Sequence, residues 1–168
     1  SNASDKLYFC ELHSNEFKRL KINLSKYTNI KTLNINGFEY IDKKINNKNS
    51  CFILVDPSYE IKEDFNEIDN ILNNLEKFYE KSKIIIWYPI LNFQENDLHI
   101  DKIRKKGIKN LINIELPVID NNDNLGMKGS GLLLLNFKEK NIFKELKSLL
   151  KELHSYLKQS NDTYNPKV

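Results

Sequence analysis

Residues 51–59 read Cys-Phe-Ile-Leu-Val-Asp-Pro-Ser-Tyr. The run Cys51–Val55 is apolar throughout and rich in strand formers, and Asp56-Pro57 closes it. Proline has no amide hydrogen to offer a ladder, so the strand stops there. An apolar run without polar alternation is the pattern of a strand covered on both faces. Short runs of similar character recur on either side, at Leu7–Cys10, Ile30–Leu33, Ile84–Tyr88, Leu111–Ile114 and Gly131–Leu135. Most of the intervening stretches carry helical period. Ser14–Leu24 follows the first run with Phe17, Leu20 and Ile22. Phe65, Ile68, Ile71, Leu72, Leu75 and Phe78 recur at helical spacing and predict an amphipathic helix. Asp97–Lys106 is predicted as a shorter helix closed by Gly107, and Ile142–Leu157 as a last one with Leu146, Leu149, Leu150, Leu153 and Leu157 on one face. Strands alternating with helices predict an α/β fold, with a largely parallel sheet covered on both faces.

The bulk numbers fit one globular domain. The chain has 168 residues, 40% hydrophobic and 29% charged, with a formal net charge of +3. That charge is too small to demand a nucleic-acid partner and does not oppose one. Ser1, Asn2 and Ala3 have the look of an expression-tag remnant, so fold reasoning begins at residue 4. The two cysteines, Cys10 and Cys51, sit in or beside apolar runs and are expected to be reduced thiols. Neither they nor His13, His99 and His154 have metal-ligand spacing, so no metal is expected. No apolar stretch approaches the roughly 18 residues of a membrane span, which with no signal sequence makes the cytoplasm the expected compartment. No glycine-rich phosphate loop or Gly-x-Ser-x-Gly elbow occurs, which leaves phosphoryl transfer and serine hydrolysis unsupported.

Open α/β sheets place their chemistry at the carboxyl ends of the strands. Here those ends carry Glu11-Leu12-His13, Asn34-Ile35-Asn36-Gly37-Phe38, Asp56-Pro57-Ser58-Tyr59 and Trp87-Tyr88-Pro89-Ile90. The third resembles the Asp/Asn-Pro-Pro-Tyr/Phe motif of enzymes that methylate the N6 amino group of adenine. That nitrogen is a poor nucleophile because its lone pair is delocalised into the ring. A carboxylate and a carbonyl that accept its two N–H groups favour the pyramidal, nucleophilic geometry and stabilise the positive charge that develops. The resemblance assigns the side-chain oxygen to Asp56, the carbonyl to Pro57, and stacking on an everted base to Tyr59. Ser58 stands where the motif has a second proline, which touches loop rigidity more than the hydrogen-bond pattern.

A wider resemblance covers Leu7 to Asn136. Glu11-Leu12-His13, Asn36-Gly37-Phe38, Ile53–Glu60, Trp87–Ile90, Gly107-Ile108-Lys109, Ile114-Glu115-Leu116, Gly126-Met127 and Ser130-Gly131 occur in the order of the RlmJ family. Members of that family are bacterial 23S ribosomal RNA adenine-N6 methyltransferases. The resemblance implies a Rossmann-like class I fold, S-adenosylmethionine as cofactor and ribosomal RNA as substrate. Glu11 matches the acid that binds the cofactor ribose. Asn36-Gly37 matches an Asp-Gly pair beside the cofactor adenine, with Asn36 keeping an acceptor oxygen but losing the charge. Asp56 matches the catalytic acid beside the cofactor's reactive end, and Trp87, Tyr88 and Pro89 match the wall of the target-base pocket.

Family members begin with a segment holding the first strand and its glycine-containing loop. None of it precedes Ser4, so residues 4–168 are expected to be the C-terminal part of a single methyltransferase domain. In the class I order that strand lies between the strands ending at Glu11 and at Asp56. The sheet would then expose two edges, pair them directly, or take a strand from the absent segment or a second chain.

Two other readings stay open: an inactive RNA- or protein-binding remnant, and an amino methyltransferase acting on DNA adenine. Structural readings stand beside the functional ones. His13 can be a helix-entry residue, Trp87 and Tyr88 can be core, Glu115 can be structural, and Gly126, Gly129 and Gly131 can frame a hairpin turn. Lys102, Arg104, Lys105, Lys106 and Lys109 form a basic run that is a solvated face or a phosphate contact.

Overall fold

The computed structural model describes residues 5–45, 50–59, 62–78, 80–119, 126–138, 141–159 and 165–168. The predicted tag remnant Ser1–Ala3 and Glu60 lie outside them, as do the side chains of Phe65, Leu75 and Phe78. The chain divides into two compact units, Ser1–Asn46 and Asn47–Val168.

The first unit contains β1 (Leu7–Cys10), α1 (Ser14–Leu24), β2 (Ile30–Leu33) and α2 (Gly37–Lys44). Its two strands pair in parallel, from Leu7 opposite Ile30 to Cys10 opposite Leu33. The helix predicted at Ser14–Leu24 forms with those bounds. Helix α2 has no counterpart in the sequence prediction. Its signal is local: Asn36 is the N-cap and its side chain accepts from the Phe38 amide, with Glu39 in the first turn. The Asn36–Glu39 spacing is that of a capping box, which the functional reading of Asn36-Gly37 obscured.

The second unit contains β3 (Phe52–Val55), α3 (Lys62–Phe78), β4 (Lys83–Ile90), α4 (Phe93–Lys105), β5 (Leu111–Pro117), β6 (Gly129–Leu135) and α5 (Ile142–Leu157). Its sheet has the order β3-β4-β6-β5. Strand β4 runs parallel to β3, but β6 runs antiparallel to both β4 and β5. The expectation of a largely parallel sheet therefore holds only for the β1-β2 and β3-β4 pairs. The reason is local: only residues 118–128 join β5 to β6, and a parallel return needs a crossover of about a dozen residues or more.

Register sorts the side chains onto two faces. One carries Ile53 and Val55, then Ile84, Ile86, Tyr88 and Ile90, then Leu133 and Leu135, all buried. On this side α4 buries Phe93, Asn96, Ile100 and Ile103, and α3 buries Ile68, Ile71 and Leu72. The other face carries Ile112, Ile114 and Leu134 packed with Leu150 of α5, and Ile85, Leu116, Leu132, Phe137, Leu146 and Val168 pack against them. Coverage on this side does not extend over β3, where Phe52 is 65% and Leu54 63% exposed. The run at residues 51–55 was expected to be buried on both faces and is buried on one. Among the described residues, β1 and β3 each pair along one edge only.

Helix α4 begins four residues earlier than predicted, at Phe93, because the Asn92 side chain caps it through the Gln94 and Glu95 amides. It ends at Lys105, one residue short of the prediction, with Lys106 as its C-cap. Gly107 follows with φ +67, a left-handed conformation that costs glycine nothing. No helix among the described residues is long and apolar enough to cross a membrane.

Candidate active site

In the second unit the carboxyl ends of β3 and β4 lie side by side. Their pairing runs to Val55 opposite Ile86, after which β3 gives way to Asp56-Pro57-Ser58-Tyr59 while β4 continues through Trp87. The Asp56 carboxylate is exposed, Pro57 is half-buried and Ser58 is exposed. Tyr59 folds back onto β4: its hydroxyl donates to the Trp87 carbonyl. Its ring meets the Trp87 ring edge-on, with centroids 5.7 Å apart and planes at 62°. Tyr59 has φ 55, a left-handed conformation that a bulky residue adopts only when its surroundings enforce it. The contacts to Trp87 supply that enforcement. The structure thus brings Asp56, Pro57, Tyr59 and Trp87 together.

Tyr88 points the other way. Its side chain is 6% exposed and lies on the α4 face, so its contribution to a pocket beside Asp56 is limited to backbone. The hydroxyl is 2.7 Å from Asn113 Oδ1 and 3.3 Å from Glu115 Oε1, to which it is a donor. Burial, reinforced by the Glu115 carboxylate, pushes this phenol far above its ordinary range, so it remains protonated. Pro89 is half-buried on the Trp87 side of the strand.

The remaining candidates fall in the first unit. Glu11 follows β1, and its Oε1 accepts from the His13 amide at 2.7 Å. His13 itself is the N-cap position of α1 and makes no side-chain cap bond, in line with the helix-entry reading. The Asn34 side chain donates to the Glu11 and Leu12 carbonyls at 2.8 and 3.0 Å, tying the end of β1 to that of β2. Asn36 Oδ1, expected to be an acceptor for a cofactor, already accepts from Phe38 N at 2.9 Å. A second lone pair on Oδ1 and the amide N–H groups remain to be offered. Gly37 opens α2, where an added Cβ would meet Cys10 Cβ at 3.5 Å, an ordinary contact.

Sequence reasoning missed the polar cluster around Glu115. Asn96 and Asn113 donate to Glu115 Oε1 at 3.0 and 2.9 Å, and Lys167 lies 3.4 Å from Oε2 and 2.8 Å from Asp97. Gly131, taken for a turn residue, stands in the interior of β6. A glycine inside a strand signals close approach, and that was the available clue. The basic run divides among several partners: Lys102, Arg104 and Lys105 occupy the last turn of α4, where they offset its dipole, and Lys106 pairs with Asp69 at 3.4 Å. A surface cavity of about 290 Å³ there is lined by Asp69, His99, Lys102, Ile103, Lys105 and Lys106. Among the described residues no group of histidine, cysteine and acid side chains could hold a metal ion.

Comparison with known proteins decides the family. The model of the family described as ribosomal RNA large subunit methyltransferase D, RlmJ, matches residues 1–166. The chain belongs to this family. It is 27% identical over 135 residues to ribosomal RNA large subunit methyltransferase J of Haemophilus influenzae, covering 80% of this chain and 48% of that protein. It is 27% identical over 154 residues to the Escherichia coli protein of the same name, covering 91% of this chain and 55% of that one. The chain thus spans about half the length of these relatives. The crystal structure of protein LPL1258 from Legionella pneumophila superposes with a TM-score of 0.80 at 28% identity, covering 99% of this chain and 60% of that one. The RlmJ resemblance seen in the sequence is thereby borne out.

Proposed function

We propose that this chain is the C-terminal part of a single class I methyltransferase domain that transfers a methyl group from S-adenosylmethionine to the N6 amino group of adenine in 23S ribosomal RNA. The observation that carries the reading is the loop at the end of β3, with an exposed Asp56 carboxylate and Tyr59 held against Trp87. Asp56 and the Pro57 carbonyl accept the two N–H groups of the target amine. Both acceptors favour the form of the nitrogen whose lone pair is available, and the carboxylate stabilises the positive charge that grows on it. Tyr59 supplies an aromatic surface for the base, and Trp87 with the Tyr88 and Pro89 backbone forms the adjoining wall.

The resemblance to the RlmJ family assigns Glu11, Asn36 and Gly37 of the first unit, and Asp56 of the second, to the cofactor. The donor inventory fits in part. Glu11 keeps a second carboxylate oxygen for ribose hydroxyls while His13 N steadies the first. Asn36, engaged as a helix cap through one lone pair of Oδ1, keeps the other as the expected acceptor but lacks the charge of an acid. When bound, S-adenosylmethionine supplies a methyl group already activated on a sulfonium, so the protein's part is positioning and desolvation.

The edges of β1 and β3 that are unpaired among the described residues support the proposal that the domain's first strand, with its glycine loop, comes from a segment outside these residues or from a second chain. Membership of a ribosomal RNA methyltransferase family favours ribosomal RNA over DNA as the acceptor. The test is transfer of labelled methyl from S-adenosylmethionine to protein-free 23S ribosomal RNA and to duplex DNA by the full-length domain. N6-methyladenosine in the ribosomal RNA is expected. Preference for DNA would overturn the substrate, and transfer to neither would leave a binding remnant.

A further inference from the structure

Glu115 is 3% exposed in the middle of a β-strand, where a leucine or valine would satisfy the core. A buried carboxylate carries a heavy desolvation cost unless it is well paired. Here it is: Tyr88, Asn96 and Asn113 surround Oε1 and Lys167 lies near Oε2. Replacing such a cluster with apolar residues often leaves stability unchanged or higher, so stability alone is a poor explanation for it. Its geometry offers another. Tyr88, Gly131 and Glu115 stand opposite one another in one row across β4, β6 and β5. The Tyr88 ring crosses β6 over Gly131, where an added Cβ would stand 1.9 Å from Cζ, and reaches the carboxylate.

The amide nitrogen of Tyr88 shares a planar peptide with the Trp87 carbonyl. That carbonyl accepts from Tyr59, just past the last β4 residue paired to β3. Fixing Tyr88 therefore fixes the peptide on which the Asp56–Tyr59 loop rests, at a point where β3 no longer holds the strand.

We propose that Glu115 is a positioning residue for the Asp56–Tyr59 loop, acting through Tyr88 and the Trp87–Tyr88 peptide. Its consequence for methyl transfer rests on the target-base reading of that loop. The mechanical coupling does not, and it is measurable without cofactor or RNA. Trp87 is the single tryptophan of the chain, so its fluorescence reports the contact with Tyr59.

The experiment is acrylamide quenching of Trp87 in the 168-residue chain and its variants. Glu115→Ala is expected to raise the quenching constant about twofold, Tyr59→Phe to act in the same direction, and the double variant to add little, as coupled sites do. Glu115→Gln keeps an acceptor for Tyr88 and is expected to restore the wild-type value. Ile103→Ala, which opens a cavity on the α4 face, away from the Trp87 side chain and outside the Glu115 cluster, is expected to leave Trp87 unchanged. A folded Glu115→Ala with wild-type quenching overturns the proposal, and so does an equal rise in Ile103→Ala. Should Glu115→Ala not fold, Tyr88→Phe removes only the hydroxyl and decides the matter: raised quenching supports the coupling, unchanged quenching refutes it. Loss of the methyltransferase reading would leave every one of these outcomes as stated.

Discussion

The ring of Tyr88 occupies the space where Gly131 would otherwise carry a side chain, with Cζ 1.9 Å and Cε2 2.3 Å from an ideal Cβ position. Glycine is thus required in the interior of β6 by a neighbour rather than by its own backbone angles. Gly131→Ala must expel the Tyr88 ring or part the strands, and overpacking of this kind costs about 1–3 kcal/mol or more. Urea unfolding of the variant should show a lowered midpoint. Removing the ring in a Tyr88→Ala background should make the added methyl far cheaper, a non-additivity that a turn requirement at Gly131 would not produce.

Asn36 offers a separation of structure from function. Its Oδ1 caps α2 through Phe38 N, so Asn36→Ala is expected to lose about 0.5–2 kcal/mol from the first unit. Asn36→Asp keeps the cap and adds a charge that the helix N-terminus favours. It should therefore match or exceed wild-type stability in thermal melts. It also restores the acid expected beside the cofactor adenine, and under the proposed function it tightens S-adenosylhomocysteine binding in calorimetric titration.

The strands of this fold could be read from the sequence, because each is a short apolar run bounded by turn residues. Helices α1 and α5 came out with their observed bounds, since their periodic apolar faces are long enough to register. Helix α2 and the first turn of α4 did not. In each the deciding signal is an Asn-to-Glu capping box, Asn36 with Glu39 and Asn92 with Glu95, lying beside residues already given another role. The direction of β6 was missed because the shortness of the connection from β5, residues 118–128, was not weighed against the length a parallel crossover needs. Of the site, the Asp56–Tyr59 loop was legible as a motif. The Glu115 cluster was not, because it gathers Tyr88, Asn96, Asn113 and Lys167 from separate elements, and only the register of three strands brings them together.

His99 gives the chain an acid-sensitive element on α4. Burial holds its imidazole below the ordinary value, and Lys102 and Lys106 push the same way against Asp69. The neutral form is favoured in the folded chain, so the unfolded chain takes up the proton first. Stability is therefore complete above the unfolded value of about 6.5 and is lost as pH falls through the lowered folded value. Urea midpoints compared at about pH 7.5 and about pH 5.5 should fall for the wild type and fall less for His99→Gln. Equal losses in the two proteins would remove His99 from the explanation.

Asp56 carries the central claim. Its side chain is exposed at the end of β3, so Asp56→Ala is expected to change stability by no more than about 0.5 kcal/mol. The decisive measurement is single-turnover methyl transfer to protein-free 23S ribosomal RNA by the full-length domain, wild type against Asp56→Ala, with the product digested and assayed for N6-methyladenosine. The account predicts N6-methyladenosine from the wild type and a loss on the order of 10²–10⁴-fold in the variant, the usual effect of removing a group that stabilises transition-state charge. Turnover by Asp56→Ala close to that of the wild type would contradict it.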